Sequence, residues 1–165
     1  MKILVLSDSH STLSFMRLCI QRVKPNAVVH LGDHYDDGAA MAEEFSHLSF
    51  YQVPGNCDRY RNIMGAPEIR LEKICGIRVY LTHGHLHRVK TGLWHLISDA
   101  NGAQAQLALF GHTHSAYCQQ EDNGMWVVNP GSCGYYGGSA AVIEVCDKKI
   151  TGCRIVRQSE LEEMV

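Results

Sequence analysis

This sequence is short of charge. Only 19% of its 165 residues are Asp, Glu, Lys or Arg, against about 25% in typical soluble domains. With 45% hydrophobic residues, that shortage excludes a self-repelling disordered chain and predicts an interior-rich α/β domain. The charge that exists nearly cancels, at 15 basic and 17 acidic residues for a net of -2. No Lys/Arg run stands out, so bulk attraction to nucleic acid or to an anionic membrane surface is not expected.

Long apolar runs are also missing. Nothing approaches the roughly 18 apolar residues of a membrane span. The N-terminus offers one lysine and four apolar residues before Ser7, too few for the apolar core of a signal peptide. Paired cysteines are missing too: there are seven, an odd number, with no C-x-x-C. Several lie in apolar strand-like runs, as buried free thiols do. Reduced thiols and a cytoplasmic location are therefore expected. No repeat, linker or low-complexity segment appears. The length predicts one domain over residues 1–165, large enough to bury roughly two-thirds of its unfolded surface.

What the chain does have is one pattern, used five times. Leu109-Phe110 runs into Gly111-His112-Thr113-His114, an apolar stretch ending in a glycine and two spaced histidines. Likewise Leu4-Val5-Leu6 leads to Asp8-Ser9-His10, and Val28-Val29-His30-Leu31 to Gly32-Asp33. Tyr51-Gln52-Val53 leads to Gly55-Asn56-Cys57-Asp58, and Val79-Tyr80-Leu81 to His83-Gly84-His85. Polar residues after apolar strands fall at the strands' C-terminal edge, where open α/β sheets bind ligands.

Residues 2–7, 27–31 and 49–53 read as short buried strands. Leu13, Met16, Ile20 and Val23 keep helical spacing, with Ser11 or Thr12 as cap and Pro25 as stop. Residues 38–45, rich in Ala and Glu, read as a short helix. This β-α-β-α-β order predicts a parallel sheet. Hairpins follow. Residues 68–71 and 77–82 flank Cys75-Gly76, and residues 116–121 and 126–128 flank Asp122-Asn123-Gly124. Residues 140–145 and 151–156 flank Asp147-Lys148-Lys149. Between the first two hairpins, Val89, Leu93, Leu96, Ile97 and Ala100 share a helical face, and residues 107–110 form a strand. The charged tail from Glu160 is expected to fray. Parallel units followed by antiparallel hairpins predict a four-layer α-β-β-α sandwich of two mixed sheets.

Asp8 and His10 are two residues apart, as are His112 and His114, so within a strand each pair would share a face. Together with Asp33, Asn56 and His83 they make two carboxylates, four imidazoles and one amide. An O/N set without thiolate suits Mn, Fe, Ni or Zn and not a Cys-type structural zinc site. Seven ligands exceed what one open ion needs and suit two ions sharing a bridging carboxylate. Two divalent ions, offset by two carboxylates and a bridging hydroxide, leave one net positive charge to attract an anion.

These motifs, with Asn129-Pro130-Gly131-Ser132 beyond them, resemble the calcineurin-like metallophosphoesterases, specifically their small, cap-less bacterial and archaeal phosphodiesterase branch. Their order matches, and the five motifs span residues 8–114. The resemblance implies the four-layer fold and a two-metal phosphodiesterase that hydrolyses small phosphodiester substrates by attack of a metal-bridging hydroxide. Asp8, His10, Asp33 and His114 would hold one ion. Asp33, Asn56, His83 and His112 would hold the other, with Asp33 bridging. Two divalent ions are implied, Mn2+ foremost, with Ni2+, Fe2+ and Zn2+ as alternatives.

The chain departs from the wider family in two places. Cys57 stands where many relatives carry a histidine that protonates the leaving group, so the proton donor is open among Cys57, Asp58 and His85. Tyr135-Tyr136 follows the Asn-Pro-Gly-Ser loop where relatives often carry a basic residue. Of the other histidines, His30 reads as a core residue, and His34, His47 and His95 as surface or half-buried. His87 is left open as a substrate contact. Asp36 and Asp37 read equally as braces for ligand histidines or as solvated turn residues. Trp94, Trp126, Tyr135 and Tyr136 read as either an apolar interface of a homo-oligomer or as core. The rival functions are a phosphomonoesterase on the same site, a nuclease, and a non-enzymatic scaffold such as the retromer subunit of this fold.

Overall fold

The computed structural model describes residues 1–58, 63 and 65–163. Among these residues, ten strands form two five-stranded sheets. The first holds β1 (Lys2–Leu6), β2 (Ala27–His30), β3 (Ser49–Gln52), β9 (Ser139–Cys146) and β10 (Lys149–Arg157), in the order β10-β9-β1-β2-β3. The second holds β4 (Ile69–Ile74), β5 (Ile77–Thr82), β6 (Leu107–Leu109), β7 (Tyr117–Gln120) and β8 (Trp126–Asn129), in the order β4-β5-β6-β8-β7. β1, β2 and β3 run parallel, as do β5, β6 and β8. The antiparallel pairs β1–β9, β9–β10, β4–β5 and β7–β8 complete the sheets.

Alternation along the strands builds the layers. Ile3 and Val5 of β1 face the second sheet, joining Val29, Val79, Leu81, Leu109 and Val128 in the core between the sheets. Leu4 and Leu6 point the other way, onto α1 (Leu13–Val23), α2 (Tyr35–Glu44) and α4 (Gln158–Glu163). Tyr80, Ala108 and Val127 turn outward onto α3 (Trp94–Gly102) through Leu96 and Ala100. A strand buried on both faces must be apolar throughout, which is why these runs show no polar alternation. The fold is the expected α-β-β-α sandwich of two mixed sheets.

Several expected boundaries move, each for a local reason. α2 begins at Tyr35 rather than Gly38. Asp58, distant in sequence, accepts from the N–H groups of His34 and Tyr35 at 2.8 and 2.9 Å and so serves the helix's first turn. Gly38 inside that helix sits where packing is close, because a Cβ there would displace Gln52 Oε1 and press on His30. α3 starts at Trp94, after Val89 and Leu93, which join the same core from a turn. The tail does not fray at Glu160, because Leu161 is buried against the helical face of the first sheet.

The expectation of seven free thiols is also corrected. Cys118 on β7 and Cys153 on β10 are disulfide-bonded, 35 residues apart in sequence. Both strands are edges of their sheets, and facing the sheets brings the edges together. Closing such a loop is worth roughly 3–4 kcal/mol. Cys19, Cys57, Cys75, Cys133 and Cys146 remain free. Thiol titration of air-oxidised protein unfolded without reductant is expected to count those five, and all seven after reduction. Seven without reductant would refute the bridge.

Candidate metal centre

The seven candidate ligands lie just beyond the C-terminal ends of β1, β2, β3, β5 and β6, the five expected strand ends. None except His83 directly abuts a strand. β1 ends at Leu6 and β6 at Leu109, so Asp8/His10 and His112/His114 do not share a strand face. Left-handed turns bring them together instead. Asp8, His10, Asp33, His112 and His114 have φ of 52°, 44°, 55°, 68° and 58°. Such backbone is uncommon outside glycine and costs of order 1–3 kcal/mol per residue, and it persists where the surroundings over-determine it.

Asp8 is fully buried. Its Oδ2 accepts from Ser7 Oγ at 2.5 Å and from the His112 N–H at 3.1 Å. Among the described residues Oδ1 takes no hydrogen bond, and it lies 3.1 Å from His114 Nε2 and 4.0 Å from His83 Nε2. His10 Nε2 is likewise buried without a hydrogen-bond partner. Asp8, His10, Asp33 and His114 each offer one ligand atom within 4.8 Å of the others. Buried acceptors without donors cost free energy unless a cation or proton satisfies them. A divalent ion fits this donor set.

The other half is built around His83. Its Nδ1 lies 2.7 Å from the Leu31 carbonyl, which can only accept, so Nδ1 carries the proton. Nε2 then presents a lone pair to Asn56 Oδ1 at 3.1 Å and Asp33 Oδ1 at 3.5 Å. Three acceptors facing one another make a second cation-shaped donor set, and fixing the tautomer through the far ring nitrogen is what a metal-ligating histidine needs. The His112 ring is 5.1 Å from that of His83. Asp33 Oδ1 also accepts from the Cys57 N–H at 2.9 Å.

Burial separates the two carboxylates. It pushes Asp8 up to about 7, against the lowering effect of Ser7. Burial would raise Asp33 as well, but His83 and the Cys57 N–H outweigh it and hold Asp33 below its ordinary value. Burial lowers His83 and His112 to about 4, so both are neutral and ready to ligate at pH 7. His10 and His114 are lowered by the same cause.

Glycines give the carboxylates their room. A Cβ on Gly55 would strike Asp33 Oδ1, and one on Gly111 would strike Ser7 Oγ and press on Asp8 Oδ2.

The three candidates for proton donor occupy different positions. Cys57 is exposed, and its thiol is pushed up to about 11, first by burial and then by its hydrogen bond to Asp33. The His85 ring lies 5.5 Å from His83 and 6.1 Å from His112, with Nε2 3.5 Å from Glu68 Oε1. Asp58 is buried, and both its oxygens are taken by backbone N–H groups, of His34 and Tyr35 at Oδ1 and Gly55 at Oδ2. Asp58 therefore has the geometry of a brace.

His30 is a core residue, as expected, with Nε2 3.0 Å from Ser9 Oγ. His87 is buried among Tyr80, Thr82 and Asp99. Asp37 Oδ2 accepts from Ser9 Oγ and the Ser11 N–H at 2.7 and 2.8 Å, bracing the turn that carries His10. Asn129 donates to the Gly111 carbonyl and to Thr113 Oγ1, stitching the turn of His112 and His114. Ser132 Oγ donates to the Asp8 carbonyl at 2.8 Å. Ser132 belongs to the Asn-Pro-Gly-Ser motif singled out in the sequence, but the bracing roles of Ser7 and Ser9 escaped the sequence reading, because a serine's partners are set by chain crossings. Lys90 escaped it as well; after burial and the neighbouring histidines, its charge contributes to lowering His112 and His114. Arg59, the basic residue beside Asp58, lies outside the described residues.

Residues 1–148 match the family model for the calcineurin-like phosphoesterase superfamily domain. A probable metallophosphoesterase of Mycoplasma pneumoniae is 31% identical over 134 residues, covering 79% of this chain and 78% of the relative. The probable metallophosphoesterase YsnB of Bacillus subtilis is 30% identical over 135 residues, covering 80% and 75%. Among solved structures, a predicted phosphoesterase of Streptococcus pneumoniae superposes with a TM-score of 0.72 at 23% identity, over 95% of this chain and 97% of that one. Vps29 of Entamoeba histolytica complexed with zinc gives 0.68 at 20% identity, over 95% and 99%. The motifs, the sandwich and these matches agree, and the chain belongs to the calcineurin-like phosphoesterase superfamily.

Proposed function

We propose that this protein is a two-metal phosphodiesterase acting on small phosphodiesters. The observation that carries the reading is Asp33, whose carboxylate borders both donor sets. It lies in the group with Asp8, His10 and His114, and its Oδ1 faces His83 Nε2 at 3.5 Å. In this reading Asp8, His10, Asp33 and His114 hold one ion, and Asp33, Asn56, His83 and His112 hold the second. Mn2+ is the first choice, with Ni2+, Fe2+ and Zn2+ as competitors. Bound ions supply the nucleophile at neutral pH and neutralise the phosphoryl oxygens. The chain's own part is orientation. The Leu31 carbonyl fixes the His83 tautomer, Ser7 and the His112 N–H aim Asp8, and Asn129 holds the turn of His112 and His114. Cys57 or His85 delivers the proton to the leaving oxygen, while Asp58 positions the Asn56 turn.

Diester preference follows from charge and access. A centre with one net positive charge matches a diester's single negative charge, whereas a monoester carries nearly two at neutral pH. Tyrosines stand where a basic clamp would otherwise sit. The expected result is a higher kcat/KM for a bis-aryl phosphate than for its mono-aryl counterpart, with Mn2+ at one pH, and about two equivalents of metal per chain. A clear monoester preference favours the phosphomonoesterase reading, which Lys90 supports by adding positive charge near His112 and His114. Protein that neither retains metal nor cleaves either ester favours a scaffold, the reading to which the likeness to Vps29 lends support.

A further inference from the structure

The residues that replace a basic clamp have a geometry of their own. Tyr135 and Tyr136 lie in residues 131–138, a stretch with four glycines. The Tyr135 ring stacks on His114 with centroids 5.0 Å apart and planes 15° apart, and stands edge-on to His10, also at 5.0 Å. Both histidines belong to the first donor set. Tyr135 nevertheless stays 47% exposed, and Tyr136, 6.4 Å away, is 87% exposed. Neither ring is core.

The loop holds these rings in place. Ser132 Oγ accepts from the Tyr135 N–H at 3.2 Å and the Gly134 N–H at 3.1 Å, while itself donating to the Asp8 carbonyl. The Gly138 N–H closes the turn onto the Tyr135 carbonyl at 3.1 Å. Tyr135 is thus tied to the same backbone that carries Asp8. Tyr136 sits at φ 55°, a genuine outlier for a bulky side chain. A strained, solvent-facing aromatic cannot be accounted for by core packing, and such strain clusters at ligand clamps.

We propose that Tyr135 and Tyr136 form an aromatic platform that binds a planar aromatic substituent of the phosphoester, such as an aryl ring or a nucleobase, beside the metal centre. The proposal rests on the phosphoester reading above and narrows its substrate class. A ring stacked on the exposed tyrosines would keep its phosphoryl group near His10 and His114. The charge shortage fits this: with tyrosines in place of a clamp, recognition of the organic group shifts to stacking. Serving any planar ring, the platform selects aromatic over alkyl esters without reading one particular base.

The test separates binding from turnover. Phenylphosphonate and methylphosphonate carry the same charge and differ in the ring, and neither can be hydrolysed at an ester bond. Calorimetry on Mn2+-loaded protein is expected to show phenylphosphonate bound roughly 5- to 100-fold tighter, the range aromatic stacking supplies. Tyr135→Leu and Tyr136→Leu should shrink that ratio, and the double variant should bring it within about 2-fold of unity, while Tyr135→Phe and Tyr136→Phe keep it. Because Tyr135 touches a candidate ligand, metal content is measured for each variant, and Tyr136→Leu alone decides if Tyr135→Leu fails to fold. A ratio near one in the unaltered protein overturns the platform, as does a ratio that survives the leucine substitutions. A protein that shows the ratio but cleaves only monoesters keeps the platform and overturns the diester reading. One that cleaves diesters without the ratio does the reverse.

Discussion

Asp33→Asn is expected to abolish phosphodiester hydrolysis, by more than the roughly 10⁴-fold upper end of general acid catalysis, while Cys57→Ala stays within about 10²–10⁴-fold. The side chains differ in what they support. Asp33 borders both donor sets, and its charge is one of two carboxylates among the seven candidate ligands. Replacing it with an amide removes that charge and weakens both ions together, so nucleophile and charge neutralisation are lost at once. Cys57 touches Asp33 twice, through its backbone N–H on Oδ1, which alanine retains, and through a thiol hydrogen bond, which alanine loses. The thiol's loss therefore removes one neutral hydrogen bond and any proton-donating role, and leaves the Asp33 charge in place. Metal content should follow activity, with Asp33→Asn retaining less than one equivalent and Cys57→Ala about two. Equal losses in the two variants, or a larger loss in Cys57→Ala, would refute the assignment.

The second large effect is acid destabilisation of metal-free protein. His30 and His83 are fully buried and held near 4, with His112, less buried, held near the same value. Unfolded histidine titrates near 6.5. A depressed folded pKa contributes stability that is present above pH 6.5 and lost as pH falls toward 4. Asp8 acts in the opposite direction: its folded value is raised from 3.8 to about 7, so its contribution is present at low pH and lost as pH rises through that interval. Against two or three histidines, one carboxylate loses. Between pH 6.5 and 4.5, unfolding should take up one to two protons net, and stability should fall by roughly 1.5–3 kcal/mol per pH unit. Urea unfolding in EDTA across that range measures it. A flat or inverted profile would refute the burial of neutral histidines. Added Mn2+ should restore stability mainly near pH 7, where Asp8 can release its proton and ligate.

The sequence by itself determined the strand ends and the chemistry gathered there. Two-sided burial demands unbroken apolar runs such as Ile3-Leu4-Val5-Leu6, and a run that must stop before a ligand stops at Ser, Gly or Thr. That is local information, so the five strand ends and the seven candidate residues beyond them were legible, as was the layer order. How the ligands converge was not. Asp8 and His10 meet through left-handed turns and not through a shared strand face, and those turns are held by Ser7, Ser9, Asp37, Asn129 and Ser132, whose partners lie up to 124 residues away. Asp58 reads as an acid in its motif but accepts from three backbone N–H groups, one from the first residue of α2 and one from the residue before it. Leu161 holds a tail whose charge predicted fraying, and Cys118 finds Cys153 only once the two sheets face each other. In each case the deciding partner comes from a distant segment. Hydrogen-bond partners and burial depend on where chains cross, which only the packed tertiary structure sets.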